Sequence, residues 1–416
     1  MNSVDRTVIP YRARYIESRL REFWKHFPIV AVLGARQVGK SRLVQEVLGK
    51  RVKTIVFDPV QDVGGARQDP DLFLQNHPAP LFLDEVQYAP ELLPALKRRV
   101  DERPGAGRYI LSGSQNLMVL RSIAESLAGR VAILNLPPMG YAELRGQAAS
   151  ATDNLARWVR GKGFAATTEP PPAWSPALRR GGYPALLALP DSLVQGYLDS
   201  YVRTYIERDV RTVAAVGDLQ LFGRFFALLA AHTSCEMNAA ELGRELGVDR
   251  KTARHWLGIA EATYQWMEVP AFTRNPAKRV SGKTKGYMTD TGLACFHQRI
   301  AEADAIPNHP LHGRLVETWV VMEILKRTQN WPTRPGLWHY RAHGGAEVDL
   351  ILEWGGRLFP VEIKAKSHPT RADARGIAAF RAAHPALDIA PGLVVCAVPS
   401  PERLAPDLVA VPWWTL

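Results

Sequence analysis

The sequence predicts an α/β protein built from several domains, and three observations lead to this prediction. A glycine-rich segment follows the apolar run Ile29–Leu33 and leads into a helix-like stretch. Short apolar runs and helix-like stretches then alternate to about residue 136, which is typical of a parallel sheet covered by helices on both faces. A second group of apolar strands, Val348–Leu352, Leu358–Ile363 and Leu393–Val398, lies beyond residue 311. The chain has 416 residues, enough for two to four domains.

The first domain, residues 1–150, contains the elements of the parallel sheet. Helices are predicted over Ser41–Leu48 and Glu91–Val100. The predicted strands are Ile29–Leu33, Lys53–Asp58, Leu81–Asp84, Tyr109–Ser112 and Val131–Leu136. In a sheet of this kind a nucleotide lies at the carboxyl ends of the strands.

The glycine-rich segment GARQVGKS has the spacing G-x-x-x-x-G-K-[ST] of a phosphate-binding P-loop. Its two glycines let backbone N–H groups close around phosphate oxygens. Lys40 is expected to reach the β- and γ-phosphates, and the Ser41 hydroxyl is expected to be a Mg²⁺ ligand. The alternative is a chance match in a glycine-containing turn. We therefore predict ATP and Mg²⁺ as cofactors, with the nucleotide bound by Gly34, Ala35, Arg36, Gln37, Val38, Gly39, Lys40, Ser41 and Arg42.

Two adjacent acids end the predicted strand Leu81–Asp84 in the sequence LFLDE. Asp84 is predicted to hold Mg²⁺, together with Ser41, and Glu85 to polarise the attacking water. Two neighbouring carboxylates at a buried strand end are costly to desolvate unless a cation lies between them. The alternative is a strand that merely ends in acids.

Further polar residues are candidates for sensing the nucleotide. Ser114, Gln115 and Asn116 follow the fourth strand, and Asn116 is predicted to be catalytic. Arg130 lies just before the fifth strand, where an arginine can reach the nucleotide of a neighbouring subunit. The alternative for Arg130 is that it only interacts with the dipole of the helix at whose C-terminus it lies. Arg208 and Arg211 are further candidates for reading the nucleotide state, and a helical face of salt bridges is the alternative for them.

The middle of the chain is predicted to consist of a linker and helical region, residues 151–232, and a winged helix-turn-helix, residues 233–300. A proline triplet ends the first part of the linker, which we expect to be exposed. Two short helices then meet at Gly247, which is the helix-turn-helix pattern. The stretch from Arg250 to Lys285 holds eight Lys or Arg residues and two Glu residues. The predicted DNA contacts are Arg250, Lys251, Arg254, Lys278, Arg279, Lys283 and Lys285. The alternative is a packing helix pair with a solvated basic face.

These motifs together resemble the bacterial and archaeal AAA-type ATPases that carry a C-terminal DUF4143 region. The resemblance rests on GARQVGKS, LFLDEVQ, SGSQN, SLAGRV, the basic module and YRAHGGAEVDLIL with PVEIKAK. It implies an AAA+-like ATPase sheet with strand order 5-1-4-3-2, a winged-helix middle and a nuclease-like α/β domain at residues 301–416. It implies no settled biological role.

The C-terminal segment also contains a set of acids and a lysine that is similar to the PD-(D/E)xK nuclease core. Glu362 and Lys364 alternate along a predicted strand and so face one side of it. Glu317 lies on a preceding helix, and Asp349 ends the motif EVD on another strand. Carboxylates of this kind bind a divalent metal, and the lysine orients or activates water. The alternative is an inactive fold kept for DNA binding or oligomer contacts.

Composition limits the partners. The net charge of +11 favours a polyanionic partner, and 46% hydrophobic residues exclude a disordered or fibrous chain. No apolar run approaches the roughly 18 residues that span a bilayer, and the three cysteines form no C-x-x-C pair. We expect a cytoplasmic homo-oligomer, with a hexamer as one option, that binds duplex or branched DNA.

Three functions are consistent with this sequence. The first is an ATP-driven machine that remodels or translocates on DNA. The second is a nucleotide-switched binding or signalling protein without motor activity. The third is a metal-dependent nuclease gated by ATP.

Overall fold

The computed structural model describes six stretches of the chain: residues 10–114, 127–167, 169–205, 218–275, 282–342 and 344–416. Within them lie a parallel sheet, a helical middle region with a small antiparallel sheet, and a mixed sheet at the C-terminus. None of the described helices combines the length and the apolar character needed to cross a bilayer.

The N-terminal region folds as five described parallel strands with helices on both faces. The helices are α1 Glu17–His26, α2 Lys40–Leu48, α3 Pro70–Asn76, α4 Leu92–Glu102 and α5 Tyr141–Leu144. The strands are β1 Ile29–Leu33, β2 Lys53–Val56, β3 Leu81–Asp84, β4 Tyr109–Gly113 and β5 Val131–Asn135. Every residue of β1 is buried, because parallel strands packed by helices on both faces read as continuous apolar runs. The strand order β5-β1-β4-β3-β2 confirms the order that the family resemblance implied.

The middle region is mostly helical. Its elements are α6 Asn154–Val159, α7 Trp174–Arg180, α8 Asp191–Tyr205, α9 Leu219–Ala231, β6 Cys235–Glu236, α10 Ala239–Leu246, α11 Arg250–Ala262, β7 Trp266–Pro270, β8 Thr284–Met288 and α12 Thr291–His297. The segment expected to be an exposed linker is partly packed instead, since Trp174 stacks on Trp413 with ring centroids 4.2 Å apart. Burial of two indole rings against each other accounts for this difference.

Helices α10 and α11 meet at Gly247, as the sequence predicts. Gly247 has φ 74°, a left-handed conformation that favours glycine. The side chain of Asp249 caps α11 by accepting from the backbone N–H groups of Lys251 and Thr252, at 2.7 and 3.0 Å. The three described strands of this region form an antiparallel sheet in the order β6-β8-β7.

The C-terminal region folds as a mixed sheet against a long helix. Its elements are α13 His312–Thr328, β9 Gly336–Arg341, β10 Glu347–Trp354, β11 Arg357–Ile363, α14 Arg375–Ala383, β12 Gly392–Cys396, β13 Glu402–Ala405 and β14 Leu408–Pro412. The order of the described strands is β13-β14-β12-β11-β10-β9. Three strands predicted from sequence correspond to β10, β11 and β12, whereas β9, β13 and β14 were not predicted.

Helix α13 of the C-terminal region forms buried hydrogen bonds with the N-terminal region. Its buried residue Glu323 accepts hydrogen bonds from the Tyr15 hydroxyl at 2.9 Å and from the Tyr141 backbone N–H at 3.0 Å. Arg327 neutralises Glu323 at 3.0 Å. Immediately before Arg327 in the chain, Lys326 donates to the carbonyl of Met139 at 3.0 Å. A buried acid with this many donors is satisfied, so α13 is held directly beside the segment that follows β5.

Candidate functional site: a P-loop and two charged clusters

The P-loop connects β1 to α2, and its first glycine is required by packing. A Cβ atom on Gly34 would lie 2.2 Å from the carbonyl oxygen of Leu136. That close approach arises because Leu136 continues the pairing beside β1, donating to the carbonyl of Leu33 at 2.7 Å. Gly39, at the start of α2, has φ 95°, which glycine adopts without steric cost.

Lys40 and Ser41 lie at the first turn of α2, at the carboxyl edge of the sheet. The buried Lys40 ammonium donates to the carbonyls of Gly34 and Ala35, at 3.0 and 2.9 Å. The Ser41 hydroxyl donates to Oδ2 of Asp84 at 2.6 Å. The structure therefore brings the P-loop hydroxyl and the strand-end carboxylate together, as the sequence predicts for a shared Mg²⁺ site. Hydroxyl and carboxylate oxygens are ligands that suit this ion.

The other P-loop residues divide into buried and polar positions. Ala35 and Val38 are buried in the core. The Arg36 guanidinium donates to the Tyr88 hydroxyl at 3.1 Å. Gln37 has φ 60° and accepts from the Tyr197 hydroxyl. Arg42 lies on the surface, 2.6 Å from Glu46.

Arg14 contacts the P-loop from outside the motif, and no sequence pattern indicated this role. Its guanidinium donates to the carbonyl of Val38 at 2.8 Å and to that of Pro137 at 2.6 Å. The same group forms a buried ion pair with Glu143 at 3.1 Å. Two of its partners are backbone carbonyls, which every residue type carries, so no sequence pattern could identify them. Arg14 thus links the P-loop to the segment after β5.

Asp84 and Glu85 are held by a serine from the neighbouring strand. Ser112 is buried near the end of β4 and donates to Oδ1 of Asp84. The backbone N–H of Glu85 donates to the same serine oxygen at 3.1 Å. Glu85 has φ 58°, a conformation that side chains adopt at a cost of order 1–3 kcal/mol and that clusters at functional sites. The one sequence signal for this role of Ser112 is that it is a polar residue near the end of the apolar run YILSG.

The Glu85 carboxylate faces two polar side chains. Gln87 donates to its Oε2 atom, and the Ser114 hydroxyl lies 3.5 Å from the same atom. Gln87 also donates to Ser114 at 3.3 Å. Ser114 was predicted near the nucleotide, and it lies beside Glu85. Asn116, with Gln115, lies outside the described residues, as do Arg208 and Arg211.

Arg130 forms a two-pronged ion pair with Asp101 of its own chain. Its Nε atom lies 2.5 Å from Oδ1, and its Nη2 atom lies 2.9 Å from Oδ2. The hydrogen bond from Arg130 holds the pKa of Asp101 below its usual value. The side chain of Arg130 is about one-third exposed, so an exposed pair of this kind contributes little to stability.

The basic face of α11 lies on the surface. Arg250, Lys251 and Arg254 are exposed, while Ala253 and Trp256 on the opposite side are buried. Arg254 has an acid, Glu268, at 4.0 Å. Exposed cations along one helix face are the arrangement that contacts phosphates.

The other predicted DNA contacts have different surroundings. Lys283 is 73% exposed and lies 3.6 Å from Glu236. Lys285 is buried at 8% exposure and faces Glu317, so its position differs from the exposed one that we expected. Lys278 and Arg279 lie outside the described residues.

The C-terminal acids and lysine predicted as a nuclease-like set do lie together. The Lys364 ammonium lies 2.6 Å from Oε1 of Glu362 and 4.0 Å from Oδ2 of Asp349. Lys285 of β8 lies 2.6 Å from Oε1 of Glu317. We call these five side chains, Glu317, Asp349, Glu362, Lys285 and Lys364, the acid–lysine cluster.

Burial and neighbouring charges shift the pKa values of side chains in the acid–lysine cluster. Desolvation, with Asp349 nearby, raises the pKa of Glu362 to about 8. Desolvation alone would lower the pKa of Lys285, but Glu317 and Asp349 raise it above its usual value. Lys285 is therefore a permanent cation beside these acids at neutral pH.

Comparison with protein families assigns most of the chain. Residues 26–145 match the model of an AAA domain. Residues 172–304 match DUF8612 and residues 312–416 match DUF4143, both domains of unknown function. The AAA and DUF4143 matches confirm the two domains that the sequence resemblance implied.

Individual proteins show more distant similarity. Two uncharacterized proteins, from Mycobacterium bovis and Mycobacterium tuberculosis, are each 28% identical over 354 residues, which is 85% of this chain and 74% of theirs. A Walker-type ATPase of Pyrococcus abyssi matches 70% of this chain and 99% of its own, at 15% identity and a TM-score of 0.46. The RuvB Holliday junction branch migration motor of Thermotoga maritima matches 66% of this chain and 92% of its own, at 15% identity and a TM-score of 0.30.

Proposed function

We propose that this chain, which carries an AAA-type P-loop ATPase domain and a DUF4143 domain, is a Mg²⁺-dependent ATPase that uses hydrolysis to remodel or move along DNA. The observation that carries the proposal is the hydrogen bond between Ser41 and Asp84, with Glu85 as the next residue. This hydrogen bond joins the P-loop to the acid at the end of β3, and the second acid follows directly. Together they are the set of groups that ATP hydrolysis needs.

The phosphates would lie against the P-loop. Lys40 now bonds to carbonyls of its own loop, and it would exchange them for phosphate oxygens when ATP binds. Ser41 and Asp84 would hold Mg²⁺, which neutralises charge on the phosphates. Glu85 would accept a proton from the attacking water, because its carboxylate is already oriented by Gln87.

A cavity beside the P-loop fits the base of the nucleotide. It has a volume of about 230 Å³ and adjoins Gly39. Its walls include the apolar side chains of Met139 and Leu187 and the aromatic ring of Tyr11. An apolar, partly aromatic cavity next to a phosphate site suits a purine ring.

DNA would bind along α11. Arg250, Lys251 and Arg254 are exposed, and Lys283 adds positive charge just before β8. The α10–α11 pair with its small sheet has the element order of a winged helix, which supports groove or phosphate contact. Lys285 is not part of this proposed surface because it is buried.

Two sets of variants test the proposal. Lys40→Ala should abolish ATP hydrolysis while leaving salt-sensitive DNA binding in place. The double variant Arg250→Gln/Lys251→Gln should weaken DNA binding and lower its salt dependence, and it should leave DNA-free ATP hydrolysis unchanged. Lys50→Gln/Arg51→Gln is the matched control, since both residues are exposed on the ATPase domain. DNA binding that both double variants reduce equally would contradict the role of α11.

A nucleotide-operated switch is the second candidate function, and the Arg130–Asp101 pair favours it. Arg130 is predicted to act on the nucleotide of a neighbouring subunit in a homo-oligomer, but Asp101 holds it within its own chain. The variant Asp101→Asn should release Arg130 from this ion pair. If Asp101→Asn raises hydrolysis only at concentrations where the protein associates, Arg130 acts across subunits; an increase that is independent of concentration would contradict this.

A further inference from the structure

The acid–lysine cluster is assembled from separate parts of the fold. Lys285 comes from β8 of the middle region, and Glu317 comes from α13. Asp349 lies on β10, while Glu362 and Lys364 lie at the end of β11 and just beyond it. Contacts within the cluster therefore join the middle region to the C-terminal region.

Lys285 occupies the space between two of the acids. Its ammonium lies 2.6 Å from Oε1 of Glu317 and 3.8 Å from Oδ1 of Asp349. A divalent metal shared by these two carboxylates would need the same oxygens at about 2.0–2.6 Å. The ammonium and the metal would thus compete for one position.

Glu317 and Asp349 also accept hydrogen bonds from other donors. The Tyr287 hydroxyl donates to Oε1 of Glu317 at 2.9 Å, and the backbone N–H of Ile363 donates to Oδ2 of Asp349 at 2.8 Å. Within the described stretches of the chain, no group of three or more His, Cys, Asp or Glu side chains has the spacing to hold a metal ion. Each of the three acids faces a lysine ammonium, Lys285 for Glu317 and Asp349 and Lys364 for Glu362. The residues present therefore do not fit the metal that a nuclease-like domain implies.

We infer that the Lys285 ammonium takes the place of a divalent cation between Glu317 and Asp349, so that the cluster fastens β8 to the C-terminal domain instead of binding a metal. The backbone supports the same junction, because the Phe272 N–H that follows β7 donates to the carbonyl of His339 on β9 at 2.6 Å. The inference is independent of ATP hydrolysis and of DNA binding.

Binding of Mn²⁺ to the full-length chain without nucleotide tests this inference. Free Mn²⁺ is followed by electron paramagnetic resonance for the wild type, Asp349→Asn, Lys285→Met and the double variant Lys285→Met/Asp349→Asn. Lys283→Met is the matched control, because it removes an exposed lysine two residues away. Any ion held by Asp84 contributes equally to all five proteins.

We expect the wild type, Asp349→Asn and Lys283→Met to bind the same number of Mn²⁺ ions. Lys285→Met should bind one more, and the double variant should lose it again. An ion that the wild type binds and Asp349→Asn does not would overturn the inference, and so would a folded Lys285→Met that gains no ion. If Lys285→Met does not fold, the wild type and Asp349→Asn alone decide, since equal binding supports the inference and unequal binding refutes it.

Discussion

Arg14→Met tests whether the P-loop depends on a buried arginine outside the motif. The substitution keeps much of the apolar volume but removes the ion pair to Glu143 and the hydrogen bonds to Val38 and Pro137. Breaking a buried pair costs about 3–5 kcal/mol because one charge is left without a partner. Glu143 still accepts from the backbone N–H groups of Tyr15 and Gly140, so we expect the lower end, about 3 kcal/mol of unfolding free energy.

The same variant should weaken ATP binding. The carbonyl of Val38 loses a hydrogen bond worth about 1 kcal/mol, which corresponds to an affinity lower by about fivefold. Urea unfolding measures the stability, and titration with a fluorescent ATP analogue measures the affinity.

Two comparisons control for the Arg14→Met result. Arg21→Met removes a partly exposed ion pair to Glu17 on α1, the helix that begins after Arg14, and should cost less than about 1 kcal/mol. Arg14→Met/Glu143→Gln should be no less stable than Arg14→Met alone, because the orphaned charge is gone. Wild-type stability and affinity in Arg14→Met, or equal losses in Arg21→Met, would refute the reasoning.

Three further predictions concern the acids and one histidine. Glu85→Gln should lower kcat by roughly 10²–10⁴-fold and leave ATP affinity near the wild-type value; a loss of binding instead would place Glu85 in nucleotide retention. Ser112→Ala removes the donor to Asp84 and the acceptor of the Glu85 backbone N–H; it should cost about 1–3 kcal/mol in urea unfolding and lower kcat, whereas unchanged kcat would show that the serine is only structural. His297 packs on Phe226, and burial lowers its pKa from 6.5 to about 4. The unfolded chain therefore binds a proton that the folded chain does not between about pH 6.5 and pH 4, so the unfolding free energy should fall by at most about 2 kcal/mol from pH 7 to pH 5. His297→Leu should remove that part of the fall, and an identical pH profile in the variant would contradict it.

The N-terminal fold was predictable because its signals are local. Buried parallel strands such as β1 are uninterrupted apolar runs, and the P-loop has fixed spacing. The strand order came from the resemblance, since no local pattern specifies which strands are neighbours. The unpredicted strand β13 is an edge strand of four residues with mixed polarity, for which periodicity gives little signal.

The side-chain partners were predictable only where the motif fixes them. Ser41 and Asp84 belong to one recurrent site, and the structure places them 2.6 Å apart. Arg14 acts through carbonyls as far as 123 positions away in the chain, which no composition or spacing indicates. The count of Lys and Arg residues led us to predict that Lys285 belongs to the basic module. Its partners, however, lie on α13 and β10 of the C-terminal region. Long-range ion pairs of this kind become visible only when the fold brings the strands together.

Hydrolysis of ATP by the wild-type chain, measured with and without four-way DNA at low and at high salt, tests the central claim most directly. We predict that DNA stimulates phosphate release at low salt, that high salt removes the stimulation, and that Lys40→Ala abolishes release under every condition. Turnover that depends on Lys40 but is the same with and without DNA at both salt concentrations would contradict the claim that ATP hydrolysis acts on DNA.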